Sequence, residues 1–326
     1  MLVTRTPLRL SLGGGGTDLP SYYERFGGFV ISAAINRHVY IAISRSFHPG
    51  YHLKYSRVEA AQSLDEIQHP LFREALRLHQ IEPRIDISSI AEVPAGTGLG
   101  SSGAFLVGLV HALRAYKRQT VNAELLAREA ISIDMGILGE PVGKQDQYVA
   151  AYGGITCQEY HADGTATITP LKMPETAVRE LKEGMMLFFT GQSRKASNLL
   201  SDQKKRSTSG DAAMLENLHF IKDLGLRIKS ALEEGDMDAF AGMMHEHWLR
   251  KRARSQGMSN DRINAAYDRG MANGALGGKL VGAGGGGFLL FFTRQRAQLR
   301  RAMADIGFEE LDFSFDHDGS IVMVRD

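Results

Sequence analysis

The chain has 326 residues and a mass of 35.8 kDa, too long for one core of ordinary size, so its length allows two domains sharing an interface or one large α/β unit. Its formal net charge of +1 excludes a global field drawing it to nucleic acid or an anionic membrane, and no apolar run approaches the ~20 residues of a bilayer span. Cys157, the only cysteine, excludes an intrachain disulfide; with no continuous apolar signal core at Met1–Pro7, a cytoplasmic protein is expected.

In chain order, Leu8, Leu10 and Leu12 alternate with Arg9 and Ser11, which predicts a half-buried strand running into Gly13–Gly16. Residues 29–44 are rich in Ile, Val and Ala and read as further strand. Pro70 suits the first turn of a helix over 71–79, and 84–88 alternates again. A glycine-rich turn at 94–103 leads into an apolar helix over 104–116, and a second helix is expected over 123–138. Residues 155–160 and 166–171 read as strands about the Ala162-Asp163-Gly164 turn. Composition shifts at Lys172-Met173-Pro174, which places the expected domain boundary there, giving 1–173 and 174–326. Beyond it come a buried strand at 185–190 and helices over 195–254, broken near Ser209-Gly210 and Glu234-Gly235-Asp236. A helix capped by Ser259 or Asn260 runs through Asn273, followed by a glycine-rich turn into a strand at 288–292. A last helix and a hairpin about Asp318-Gly319 close the chain. Strands and helices without regular βαβ alternation predict an α+β fold.

The 36 glycines are clustered, and three clusters precede or follow apolar elements. In Pro94-Ala95-Gly96-Thr97-Gly98-Leu99-Gly100-Ser101-Ser102-Gly103, a turn opening a helix gathers unpaired N–H groups at the positive end of the helix dipole. That arrangement suits a polyphosphate, with Ser101 and Ser102 placed for Mg²⁺ or a phosphate oxygen. The same loop also fits a Gly-Ser turn that merely caps a core helix. No Gly-Lys-Ser/Thr is present, so it is not a Walker A loop. Gly282–Gly287 and Gly13–Gly16 fit either tight turns or backbone that a ligand approaches closely. Gly139–Gln147 concentrates an acid, amides and Lys144 in a loop. Asp146 there is the candidate to orient an attacking hydroxyl, with Asp134 on the preceding helix as a metal ligand.

In this order, Pro7-Leu8-Arg9 with Gly14-Gly15-Gly16-Thr17-Asp18, Pro94–Ser102, and Gly282–Gly287 resemble the GHMP kinase family of galactokinases, homoserine kinases and mevalonate kinases. The resemblance covers nearly the whole chain. Gly143-Lys144-Gln145-Asp146-Gln147, Tyr152-Gly153-Gly154 and Thr190–Arg194 look most like the heptose 7-phosphate kinase branch. Fucokinases resemble the chain too, but carry a Trp in the N-terminal glycine motif that is absent here.

The resemblance implies a ribosomal S5 domain 2-like N-terminal domain and a ferredoxin-like C-terminal domain. It implies ATP and Mg²⁺, a loop spanning Pro94, Gly96, Gly98, Leu99, Gly100, Ser101, Ser102 and Gly103 around the phosphates, and a metal held by Ser101 or Ser102 and Asp134. The family's metal position is usually glutamate, so Asp134 departs from it. Asp146 matches the family's catalytic aspartate, Arg9 the arginine beside it, and Asp18 an acid that binds sugar hydroxyls. Gly14, Gly15, Gly16, Thr17 and Gln145 are expected near the sugar, and Gly284, Gly285 and Gly286 on the active-site floor. Arg194, Lys195 and Lys144 are the candidate cations for a second phosphate. The implied reaction is phosphorylation of the anomeric hydroxyl of a heptose 7-phosphate, with a fucokinase-like sugar 1-kinase or a non-catalytic nucleotide- or sugar-binding regulator as alternatives. A homo-oligomer is compatible with the sequence. His245 and His247, at i and i+2, point to different sides of a helix and do not form a metal motif. Lys251–Arg254 is expected to be a solvated helix end, with no interleaved aromatics to suggest nucleic acid.

Overall fold

The computed structural model describes residues 1–193, 197–254 and 257–325. The chain opens with β1 (Leu2–Gly13), α1 (Pro20–Phe26) and the long β2 (Gly28–Arg45). Then come β3 (Tyr51–Lys54), β4 (Val58–Ala61), α2 (Pro70–Leu78) and β5 (Ile85–Ala91). Helices α3 (Ser101–Tyr116), α4 (Ala123–Ile131) and α5 (Gln145–Tyr152) lead to the hairpin β6 (Ile155–Tyr160) and β7 (Ala166–Pro170). These strands form a sheet in the order β12-β1-β2-β5-β3-β4, with β6 and β7 extending from β2. β2 is long enough to serve two partners on one edge, β6 along Gly28–Ala33 and β5 along Val39–Arg45.

The second part of the chain contains α6 (Glu175–Gly184), β8 (Met185–Phe189), α7 (Ser197–Thr208), α8 (Ala212–Glu234) and α9 (Met237–Arg254). It continues through α10 (Asp261–Ala272), β9 (Ala275–Leu280), β10 (Phe288–Thr293), α11 (Arg296–Ala304), β11 (Glu309–Leu311) and β12 (Ile321–Arg325). β11-β8-β10-β9 make a four-stranded antiparallel sheet. The result is a two-domain mixed α/β architecture with two sheets. The chain's last strand pairs with its first, Leu2 opposite Arg325, so a division at 173/174 leaves β12 in the unit to which it does not belong. The expected hairpin at Asp318-Gly319 is likewise not formed. Phe315 bridges to Ile35 of β2 whereas β12 pairs with β1, because Asp316 turns the chain from one neighbour to the other.

Packing explains the elements. β1 was expected to expose one face, yet Leu8, Leu10 and Leu12 are fully buried and Arg9 and Ser11 nearly so. It lies between β2 and β12, with α3 and α8 packed against it, so its polar face turns toward an internal cleft instead of solvent. α3 is apolar around its circumference and buried along most of its length, as a helix at the centre of a core must be. β10 reads Phe-Leu-Leu-Phe-Phe because both of its faces are covered. Leu290 and Phe292 join the core that extends through the large sheet, while Leu289 and Phe291 pack with Trp248 and Tyr267 in a second cluster. The 123–138 helix is interrupted: α4, capped by Asn122 accepting from the Leu125 N–H at 2.8 Å, passes into a π-helical turn over Ser132–Ile137. β9 escaped the sequence reading because Gly277 and Gly278 weaken a strand pattern. They are needed because a Cβ on Gly277 would lie 1.8 Å from the carbonyl oxygen of Ala241 on α9. Among the described residues, no helix is long and apolar enough to cross a membrane.

Candidate active site

The turn before α3 winds through Gly96, Gly98 and Gly100 with φ of 78, 84 and 76°, a left-handed path that only glycine follows without strain. Gly100 is the N-cap residue, its carbonyl accepting from the Ala104 N–H at 3.0 Å, and no side chain caps the helix. The first N–H groups of a 16-residue helix therefore face the cleft, where Ser101, Ser102 and Gly103 form its wall. Leu99 and Pro94 do not line the cleft. The Leu99 carbonyl receives the Arg9 backbone N–H at 2.9 Å, and the Pro94 carbonyl receives the Thr97 hydroxyl at 2.9 Å, so both shape the turn from behind.

Arg9 and Asp146 meet beside this turn. Arg9 Nε donates to Asp146 Oδ1 at 2.7 Å, and its Nη1 donates to the Gly98 carbonyl. The arginine side chain is 7% exposed and the aspartate 27%, so the pair is embedded in the wall with the carboxylate toward the cavity. Asp146 sits in the first turn of α5, and α5 reaches α3 only because Gly103 has no side chain. A Cβ there would lie 2.6 Å from Asp146 Cβ. Asp134, on the π-helical turn, also lines the cleft and accepts from Gln147 Nε2 at 3.1 Å. Burial, then the charges of Glu140 and Asp146, push its pKa up to about 6, against the Gln147 hydrogen bond. Ser101 Oγ, Ser11 Oγ and Gln147 Oε1 are buried here without a hydrogen-bond partner.

Asp18 forms the opposite corner. Its carboxylate accepts from the Gly16 N–H at 3.1 Å and the Gln145 N–H at 3.2 Å, and a Cβ at Gly143 would fall 1.8 Å from its Oδ2. Burial raises its pKa, with the Asp146 charge adding to the rise and the two backbone N–H groups opposing it. Gly15, Gly16 and Gln145 line the cleft beside it. Gly14 and Thr17 do not. The Thr17 hydroxyl is fully buried, donating at 2.9 Å to the Gly14 and Phe29 carbonyls, and so holds the loop's shape instead of facing a ligand. Lys144 is also turned away. Its Nζ donates to the Gly164 carbonyl at 2.6 Å and lies 4.5 Å from the Tyr23 ring centroid. Arg194 and Lys195 lie outside the described residues.

The remaining wall comes from the small-sheet side, and sequence reasoning missed it. Lys279 of β9 and His247 and Lys251 of α9 all line the cleft. Lys279 Nζ donates to the Leu12 carbonyl at 2.8 Å and lies 3.3 Å from His247 Nδ1. Lys251, expected in a solvated helix end, is buried and donates to the Leu280 carbonyl at 2.9 Å and to the Gly282 carbonyl. Two signals were available: a lone lysine inside an otherwise apolar and glycine-rich strand, and the i, i+4 spacing of His247 and Lys251 on one helix face. The glycine floor also lies two residues earlier than expected. Gly282 and Ala283 line the cleft, whereas Gly284 packs on Met258 and Gly286 on Gln192. Gln203 of α7 closes the rim by donating to the Gly16 carbonyl at 2.8 Å. His245 turns to the Tyr267 hydroxyl at 2.7 Å, away from His247, as the i, i+2 spacing requires.

Comparison with known proteins places this cleft in context. The GHMP kinases N terminal domain matches residues 59–154 and the GHMP kinases C terminal region matches 228–308. A D-glycero-alpha-D-manno-heptose 7-phosphate kinase of Campylobacter jejuni is 29% identical, over 97% of this chain and 97% of its own length. The L-fucokinase/L-fucose-1-P guanylyltransferase of Bacteroides fragilis is 24% identical over 89% of this chain and 34% of that larger protein. Among solved structures, a D-glycero-D-manno-heptose 1-phosphate kinase from Bacteroides thetaiotaomicron superposes with a TM-score of 0.81 at 26% identity, covering 100% of both chains.

Proposed function

This chain belongs to the GHMP kinase family, and on that premise we propose that it transfers the γ-phosphoryl group of ATP to the anomeric hydroxyl of D-glycero-D-manno-heptose 7-phosphate, giving the 1,7-bisphosphate. One observation carries the reading. The uncapped N-terminus of α3, the Arg9–Asp146 pair and the Asp18 corner all face a single cleft. The whole-length likeness to a heptose 7-phosphate kinase supports the choice of acceptor.

In this reading the N–H groups at Gly100–Gly103 hold the nucleotide phosphates, and Asp18 with Gln145 binds sugar hydroxyls. Asp146 accepts the proton of the anomeric hydroxyl as its oxygen bonds to the γ-phosphorus and ADP leaves in line, while Arg9 balances charge on the group in transit. An anomeric hydroxyl is more acidic than an ordinary alcohol, so much of the Asp146 effect is positioning. The residues present fit Mg²⁺. Ser101 Oγ is a buried hydroxyl with no partner, and Asp134 is a carboxylate whose pKa is raised by burial and then by neighbouring acids, whose charge a cation would offset. Mg²⁺ takes most of its ligands from phosphate and water, and it would supply charge neutralisation at the β- and γ-phosphates.

Release of ADP with Mg-ATP, measured against the heptose 7-phosphate, mannose 6-phosphate, L-fucose and galactose, tests the proposal. Turnover confined to the phosphorylated sugars is expected. Turnover of L-fucose or galactose alone would move the chain to another sugar 1-kinase branch, and silence on all four would overturn the assigned acceptor class.

A further inference from the structure

Lys279 is 2% exposed, yet it carries an ammonium group into the wall of the catalytic cleft. Buried lysines are ordinarily matched by a carboxylate. Here the partners of Nζ are the Leu12 carbonyl at 2.8 Å and His247 Nδ1 at 3.3 Å, neither of them an anion. No Asp or Glu among the described residues forms a salt bridge with it. The other charged side chains facing the same space are Arg9 on β1, Asp146 on α5, Asp18, Asp134 and Lys251 on α9. Of these, Asp146 is already paired with Arg9, and Asp18 accepts backbone N–H groups. An ammonium carries three donors, and these two contacts leave at least one for the cleft.

We infer that Lys279 is a phosphate anchor: its missing counter-ion is a phosphate group brought by a ligand, bound by Nζ with His247 fixing the side chain. This deepens the proposed kinase function and rests on it, because that reaction brings two phosphates into the cleft, the γ-phosphate of ATP and the distal phosphate of the sugar. Both present the same chemistry to Nζ. The electrostatics of the cleft wall agree. Burial, with the Arg9 charge adding, lowers the Lys279 pKa to about 7, so a bound dianion would raise it again and draw a proton onto Nζ.

Calorimetric titration of parent protein and Lys279→Met with Mg²⁺ and four probes separates the sources: β,γ-imido ATP, ADP, mannose 6-phosphate and mannose. Loss of one charged hydrogen bond predicts roughly a tenfold to hundredfold weaker affinity. A loss seen with the imido analogue but not ADP assigns the γ-phosphate. A loss seen with mannose 6-phosphate but not mannose assigns the distal phosphate. Equal affinities of parent and variant for all four overturn the inference. Should Lys279→Met not fold, the parent alone decides. Uptake of a proton on binding at pH 8, read from buffers of different ionisation heat, supports the anchor, and its absence overturns it. The two proposals fail separately. A parent that releases no ADP with any sugar, while Lys279→Met still loses phosphate affinity, removes the assigned reaction and leaves the anchor standing. Full turnover of the heptose phosphate with unchanged variant affinities does the reverse.

Discussion

The two walls of the cleft distribute charge differently. The large-sheet wall supplies the acids Asp18, Asp134 and Asp146, with Arg9 held in an ion pair against the last of them. The small-sheet wall supplies Lys279, with Lys251 and His247 from α9, and the two ammonium groups donate to the Leu12 and Leu280 carbonyls. Acids concentrated on one side and cations on the other make a field across the cleft. Under the proposed function, the first wall would offer acceptors to a sugar hydroxyl and a metal ion, and the second would add counter-charge for a phosphate.

The largest effect is expected from breaking the paired wall. Asp146→Asn keeps an oxygen for Arg9 but removes the charge, and kcat should fall by roughly 10²- to 10⁴-fold with the far-UV spectrum unchanged. A folded variant at the parental rate would exclude Asp146 from the chemistry. Gly103→Ala probes the same wall indirectly. Its Cβ would stand 2.6 Å from Asp146 Cβ, so α5 must move, with roughly tenfold to hundredfold loss of kcat and a stability cost of about 1–3 kcal/mol. Gly242→Ala on α9 is the control. Nothing lies within 4 Å of its Cβ, and thermal unfolding should show a gain of about 0.5–1 kcal/mol.

The same contrast explains what could be read from sequence. Arg9, Asp18, Asp146 and the 96–103 turn sit in contiguous motifs, because each is placed by a turn or helix start a few residues away. The helices flanking 209–210 and 235, and the Asn260 cap, were legible for the same local reason: Asn260 Oδ1 accepts from the Ile263 N–H at 2.9 Å. Lys279 carried a signal, as a lone lysine in an apolar and glycine-rich stretch, but its place in the site was not legible. It becomes a site residue only when β9 lies beside β10 and its side chain reaches Leu12, 267 positions away. β12 failed likewise, since pairing with β1 joins opposite ends of the chain. The π-helical turn was hidden too, as one extra residue per turn leaves the apolar pattern of 123–138 nearly intact.

A smaller effect sharpens the acid side. Burial raises the Asp18 pKa in the folded protein, so the folded state favours its neutral form. Stability is therefore undiminished below the unfolded carboxyl pKa of about 4 and declines as pH rises through the folded value. Asp18→Asn removes this dependence. Relative to parent, its melting temperature should gain progressively from pH 4 to pH 8, while its KM for the sugar rises. Parallel melting curves across that range would contradict the burial argument.

The smallest effect belongs to a cation that stands outside both walls. Lys144 follows Gly143 directly and looks, in sequence, like a ligand for the second phosphate. Its ammonium is instead committed to the Gly164 carbonyl at the β6–β7 turn and to the face of Tyr23. Burial lowers its pKa, with Glu24 the largest opposing charge, which again describes a cation serving the fold. Lys144→Met should cost about 0.5–1 kcal/mol of stability through the lost cation–π contact. It should leave KM for the phosphorylated sugar within roughly threefold of parent, since less than one charged hydrogen bond is at stake. A tenfold rise in that KM, with KM for ATP unchanged, would place the distal phosphate at the Asp18 corner and leave only the γ-phosphate for the Lys279 wall.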